Sequence, residues 1–262
     1  MRNVRLYGES PYGVALVHGG PGAGGEMTPV ARELAPNRGV LEALQTATSL
    51  EGQVEELKTV LEENAQLPVR LIGFSWGAWL SCLLAAGYPQ LVSKLVLIGS
   101  GPFEQRYVSQ LEETRLSRLN EPERAEFQST VSRLNEPAEA ERDALLARLG
   151  VLASKADAYD PLPHESERLP SHGDIFQGVW QAAAELRRSG QLLDIARRIR
   201  CPVVAIHGDY DPHPAAGVRE PLSAALERFR FIMLERCGHT PWLERQARAS
   251  FYAILERELA AY

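Results

Sequence analysis

Cysteine, lysine and long apolar runs are all scarce in this chain, and each scarcity closes off a class of protein. Cys82, Cys201 and Cys237 are odd in number and scattered, with no pair at metal-ligand spacing. A disulfide framework and a structural zinc site are therefore not expected. Cys82 falls in an apolar helical stretch and reads as core. Lysine occurs only at 58, 94 and 155, the remaining positive charge being arginine, which reads as a coding bias. No basic block offsets the net charge of −6, so nucleic acid is not an expected partner. No run reaches the length of a membrane-spanning helix, and Met1 to Ser10 lack the apolar core of a signal peptide. The expectation is a cytoplasmic protein with no membrane partner. Oligomeric state is left open by the pattern.

What is present is an ordinary globular composition. A chain of 262 residues, 45% apolar and 24% charged, can bury one large core, with one domain plus an insertion favoured over two independent domains. Short β-branched runs at Gly13–Val17, Val40–Leu44, Val69–Ile72, Lys94–Ile98, Val203–Ile206 and Phe229–Leu234 read as strands. Helical patterns fall at Glu26–Leu34, Leu50–Glu63, Trp76–Tyr88, Ile175–Arg188, Gln191–Ile199, Gly217–Leu226 and Pro241–Leu259. The alternation predicts an α/β fold: a mostly parallel, doubly wound sheet with helices on both faces and ligands beyond the carboxyl ends of its strands. Residues 101–173 break the rhythm and read as a helical insertion, with 1–100 and 174–262 forming the core domain. Within the insertion, Ser-Arg-Leu-Asn-Glu-Pro at 117–122 recurs at 132–137. Each copy reads as a helix end, an Asn cap and a Pro in the next first turn. Asp160-Pro161-Leu162-Pro163 reads as an extended exit.

Gly73-Phe74-Ser75-Trp76-Gly77 is the most informative stretch. It reads Gly-x-Ser-x-Gly between a strand pattern and a helix pattern, the setting that thrusts a serine hydroxyl out of a sheet on a cramped turn. A nucleophilic serine needs a base, an orienting acid and an oxyanion site. His18-Gly19-Gly20-Pro21-Gly22 follows the first strand, and the N–H groups of Gly20 and Trp76 are the expected oxyanion donors. His207-Gly208-Asp209-Tyr210-Asp211 follows a later strand, with Asp211 as the preferred acid and Asp209 as the fallback. Cys237-Gly238-His239-Thr240-Pro241 follows the last strand and supplies the base, His239. The chain order Ser, Asp, His suits this type of sheet. Among the other histidines, His18 braces the glycine loop, His207 ends a strand, His164 and His172 flank the insertion, and His213 sits beside the acid. Phe74, Phe103, Trp180, Tyr210 and Trp242, with Trp76, are candidate pocket walls, each weighed against a core role. A competing reading takes Gly20 to Gly25 as Gly-x-Gly-x-x-Gly with Glu42 further on, the outline of a dinucleotide-binding unit.

With these parts in order, the chain resembles the α/β-hydrolases over nearly its whole length outside the insertion. That resemblance implies a helical cap, or lid, in the insertion and no cofactor or metal. The His-Gly-Gly-Pro-Gly loop, the Ser-Trp-Gly turn and the stretch from Tyr88 to Leu97 are similar to proline iminopeptidases. The Asp-Gln-Arg-Gly segment usual in that group does not occur between Gly39 and Ser49, and Phe74 replaces a small residue. A serine at the elbow disfavours the dehalogenase and epoxide hydrolase branches, which carry a carboxylate there. The expectation is a serine hydrolase that cleaves a small ester, amide or aminoacyl compound through an acyl-enzyme on Ser75. The alternatives are a proline iminopeptidase-like aminopeptidase, an NAD-dependent oxidoreductase using Gly20–Gly25, and a non-catalytic ligand receptor on a hydrolase scaffold.

Overall fold

A computed structural model describes residues 3–136, 140–164 and 169–260. Its strands are β1 (Val4–Tyr7), β2 (Tyr12–Val17), β3 (Gly39–Ala43), β4 (Val69–Phe74), β5 (Val92–Ile98), β6 (Val203–Gly208) and β7 (Phe229–Leu234). They form one sheet in the order β1-β3-β2-β4-β5-β6-β7. All neighbours are parallel except β1, which pairs antiparallel with β3. The helices are α1 (Thr28–Leu34), α2 (Leu50–Asn64), α3 (Trp76–Gly87), α4 (Val108–Arg118), α5 (Glu121–Leu134), α6 (Arg142–Asp157), α7 (Gly173–Arg188), α8 (Gln191–Ala196), α9 (Ala216–Ala225) and α10 (Arg248–Ala260).

The central strands are apolar on both faces because helices cover both. Leu71, Leu95 and Leu97 face a core built with α2, α3, α7 and α8, while Ile72, Val96 and Ile98 face one built with α1 and α10. Full burial of one such side chain contributes about 1.5–3 kcal/mol, so the sheet is a stiff platform for whatever stands at its edge. Six strands match the sequence expectation, and β1 is the addition. It is a short edge strand whose pairing with β3 the local pattern does not signal.

The expected helix over Pro241–Leu259 is instead broken. One 3₁₀ turn spans Pro241–Leu243, and α10 begins at Arg248. Glu244 lies in the gap, fully buried. Its carboxylate accepts the backbone N–H groups of Gly238 (3.0 Å), Tyr159 (2.8 Å) and Asp160 (2.8 Å). Those three bonds hold together backbone from two separate loops, a role a continuous surface helix would not allow.

Between β5 and α7 the described residues form helices and no strand. Asn120 caps α5 as expected, with its Oδ1 accepting the Glu123 N–H (3.0 Å) and Pro122 in the first turn. Asn135 behaves differently. It closes α5 at its C-terminus, and the Pro137 after it lies outside the described residues. The Pro161 exit is extended and bridges to Glu244.

Candidate active site

Ser75 leaves β4 at φ +52°, a left-handed conformation for a residue with a side chain, and stands at the N-cap of α3. Such strain is what a sharp strand-to-helix turn imposes on the residue at its apex. The flanking glycines are required by space. A Cβ on Gly73 would lie 2.2 Å from the Gly77 carbonyl oxygen, and one on Gly77 would lie 2.4 Å from that of Val17. The second contact presses the elbow against the end of β2, where the glycine loop begins. The Ser75 N–H donates to the Ile98 carbonyl (2.9 Å). The next residue, Gly99, packs so closely on His239 that a Cβ there would lie 2.9 Å from Nδ1. The Phe74 ring also lies 4.7 Å from the His239 ring. The loops after β4, β5 and β7 thus meet at one point.

The loop after β6 completes the group. His239 Nδ1–H donates to Asp211 Oδ2 at 2.7 Å, and the Asp211 side chain is wholly buried. Asp209 is turned away, accepting the Cys237 N–H (3.1 Å), so Asp211 is the acid that meets the histidine. A second histidine shares it. His213 donates to Asp211 Oδ1 from both Nδ1 (2.7 Å) and its backbone N–H (2.9 Å). Its ring stacks on that of His239 with centroids 4.5 Å apart. His207 Nε2 donates to the His213 carbonyl (2.8 Å) and lies 3.7 Å from Asp211.

Electrostatics divides the two stacked rings. Burial alone would lift Asp211, but His239, His213 and His207 hold it well below the usual carboxylate range. Burial would depress His239, yet the Asp211 charge and hydrogen bond outweigh it and raise the imidazole. Burial pushes His213 down to about 4 despite Asp211. Asp211 therefore favours the charged form of His239, while burial favours the neutral form of His213 beside it. Among the described residues, Asp211, His213 and His239 are also the group close enough to share a metal ion. Both imidazoles already direct Nδ1 at the carboxylate, so the hydrogen-bond network accounts for their convergence. The sequence places His213 beside the acid but as a distraction from it; the structure makes it a second partner of Asp211.

The glycine loop is braced as expected. His18 Nδ1–H donates to the Gly19 carbonyl (2.6 Å), and its Nε2 accepts the Gln45 N–H (3.4 Å). Burial keeps this imidazole below its ordinary range. Gly20 has φ +45°. The backbone at the end of the insertion lies over this loop, with the Leu169 and His172 N–H groups donating to the carbonyls of Gly24 (2.8 Å) and Gly22 (2.9 Å). Trp76 is buried, and its indole N–H donates to Gln53 Oε1 (3.2 Å). His164 is exposed near the Leu162 carbonyl, away from this group.

The candidate walls separate into two sets. Phe74, Phe103 and Trp242 are at most 2% exposed, with Phe74 packed between His239 and Trp242, while Trp180 and Tyr210 are half-buried. Trp180 stacks between Trp79 and Phe176 (6.0 and 5.9 Å). Tyr210 lies under the Arg118 guanidinium at 3.6 Å. Glu42, the acid of the dinucleotide reading, is fully buried and bonded to Tyr7 (2.7 Å) and Thr28 (2.9 Å), so it is not free to meet a ribose.

The alpha/beta hydrolase fold family matches residues 14–246, and the chain belongs to that family. Solved structures of similar shape include VinJ, at 17% identity and TM-score 0.68 over 98% of this chain and 93% of that one. Est816, described as an N-acyl homoserine lactone degrading enzyme, is 18% identical with TM-score 0.63 over 97% and 95%. A proline iminopeptidase from Mycobacterium smegmatis is 17% identical with TM-score 0.61 over 97% and 94%. At these identities the likeness concerns the fold alone. A search of curated protein sequences finds no match. No helix of the described residues is long and apolar enough to cross a membrane.

Proposed function

We propose that this chain is a serine hydrolase that cleaves a small acyl substrate, an ester, small amide or aminoacyl compound, through an acyl-enzyme on Ser75. The observation that carries the reading is the buried Asp211–His239 pair at 2.7 Å, packed against the loop bonded to a serine at φ +52°. In this mechanism His239 Nε2 takes the Ser75 proton as the hydroxyl oxygen attacks the acyl carbon. Asp211 orients the ring and stabilises its charged form. The oxyanion is held by the N–H groups of Gly20 and Trp76. The Trp76 N–H belongs to the first turn of α3, where a helix has no internal acceptor for it. The tetrahedral intermediate collapses, His239 protonates the leaving group, and water attacks the acyl-enzyme by the same route.

The insertion, 101–173, acts as a cap on the core formed by 1–100 and 174–262. The seating of 169–172 on the glycine loop supports this, as does the bond from the His239 N–H to the Asp157 carbonyl (2.9 Å). The partner is a small molecule, and Trp180 and Tyr210 border its pocket.

Labelling with a fluorophosphonate probe tests the reading. Wild type is expected to label and Ser75→Ala not to, and an unlabelled wild type would overturn it. Aryl esters of graded acyl length, run beside prolyl and other aminoacyl arylamides, then divide esterase from aminopeptidase activity.

A further inference from the structure

Two glutamines are buried at the ends of one loop, and they are used differently. Gln53, in the first turn of α2, is saturated. Its Nε2 donates to the Ala47 carbonyl (3.0 Å), and its Oε1 accepts the Trp76 indole N–H (3.2 Å). Gln45, just past β3, is 6% exposed, and neither Oε1 nor Nε2 meets a partner in the protein. Among the described residues it is the side chain with two separate polar atoms, a donor and an acceptor, both orphaned. Leaving both buried and unpaired is costly to the fold, and such groups call for an explanation.

Its position supplies one. Ala43 stands opposite Val17 in the β2–β3 register, so Gln45 comes level with the start of the glycine loop. The bond from its own N–H to His18 Nε2 (3.4 Å) ties it there. A Cβ on Gly24, across the loop, would lie 3.5 Å from Leu44 and 3.6 Å from His18 Nε2. Gln45 therefore lies at the carboxyl edge of the sheet, level with the glycine loop that carries the expected oxyanion donor, where ligands bind in open α/β sheets.

Resting on the serine-hydrolase reading, we infer that Gln45 is a specificity-determining residue that selects acyl groups bearing a carboxamide or the exposed edge of a peptide unit. A carboxamide offers one N–H and one C=O side by side and satisfies both orphaned atoms. A hydroxyl satisfies one at a time, and an alkyl chain satisfies neither. Sites built to hydrogen-bond a polar group discriminate strongly against analogues lacking it.

The test is a matched pair of p-nitrophenyl esters, 4-carbamoylbutanoate and its alkyl isostere 5-methylhexanoate. Wild type is expected to favour the carbamoyl ester by roughly 10- to 100-fold in kcat/KM. Gln45→Leu and Gln45→Met are expected to abolish or reverse that preference and to melt no lower than wild type in the absence of substrate. Equal labelling of Ser75 by the fluorophosphonate in all three proteins separates this inference from the reading beneath it. If wild type labels yet hydrolyses the alkyl ester as well or better, the role of Gln45 is overturned and the hydrolase reading stands. That outcome needs no variant to fold. A preference that survives both substitutions, or variants that melt several degrees lower with unchanged preference, would mark the amide as structural and also overturn the inference. An unlabelled wild type would overturn the hydrolase reading itself.

Discussion

The sheet edge and the helical insertion are held together by different physics. The loops at the sheet edge rest on strands buried on both faces, and two acids there are buried and paired: Asp211 by two histidines, Glu244 by three backbone N–H groups. The helices α4 to α6 bury only small apolar clusters, Leu119, Phe127, Leu152 and Ala156 in one and Leu134, Leu145 and Leu146 in another. Their outer faces carry exposed ion pairs such as Arg148–Glu126 at 2.6 Å. The two regions meet where α6 ends. There Asp157 is gripped by Arg115 through two bonds (2.8 and 2.6 Å) and offers its carbonyl to the His239 N–H. Arg118 donates to the carbonyls of Ala156 (3.0 Å) and Tyr210 (2.8 Å) across the same seam. The insertion is thus loosely built within itself and firmly pinned at the loops that carry His239 and Asp211.

The largest effect that would break this contrast is at the acid. Asp211→Asn is expected to lower kcat by about 10⁴-fold without unfolding the sheet, measured by steady-state hydrolysis and thermal melting. The pH profile shares its cause. The base must be neutral, and Asp211 raises its pKa, so the acid limb of kcat/KM is expected above the ordinary imidazole value of about 6.5. In Asp211→Asn, burial loses its main opponent, only the smaller influence of the Asp157 charge still raising the imidazole, and the limb moves to lower pH. An unmoved limb would assign it to another group.

His213→Ala comes next, at roughly 10- to 100-fold in kcat with KM little changed, because a hydrogen bond to a charged group is worth about 1.5–3 kcal/mol. His213→Asn, which keeps a donor, is expected to recover part of the loss. His213 is a positioning residue, and an equal loss in both variants would argue instead for a packing role.

At the seam, Arg115→Met leaves Asp157 buried and unpaired, and is expected to cost up to about 3–5 kcal/mol in denaturant unfolding. Arg115→Met with Asp157→Leu is expected to regain most of it. The smallest effect is on the outer face of the insertion. Replacing Glu126 and Arg148 together is expected to leave the melting temperature unchanged within error, since exposed pairs are screened and pay side-chain entropy. A clear loss there would show the insertion to be as tightly coupled as the sheet.

Much of this was legible from residue order. Five buried strands and the half-exposed edge strand β7 announced themselves as short apolar runs, and the elbow, glycine loop, acid and base each followed one of them. Three features were not legible. The strand at Val4–Tyr7 is short and half-exposed, and its pairing partner β3 lies more than thirty positions on. Glu244 looked like one turn of a surface helix until its inward turn onto loop backbone. Nothing in composition distinguishes Gln45 from Gln53, because satisfaction of an amide depends on what the fold brings within 3 Å of it.

The sequence by itself determined the layered α/β architecture and the order of the reactive side chains, because hydrophobic period and turn chemistry act over neighbouring residues. Tertiary structure alone decided that Asp211 meets His239 while Asp209 turns away, that a second imidazole shares the carboxylate, and that one buried amide is saturated and the other not. Those outcomes depend on distances between atoms far apart in the chain, and packing of the sheet and its loops sets them.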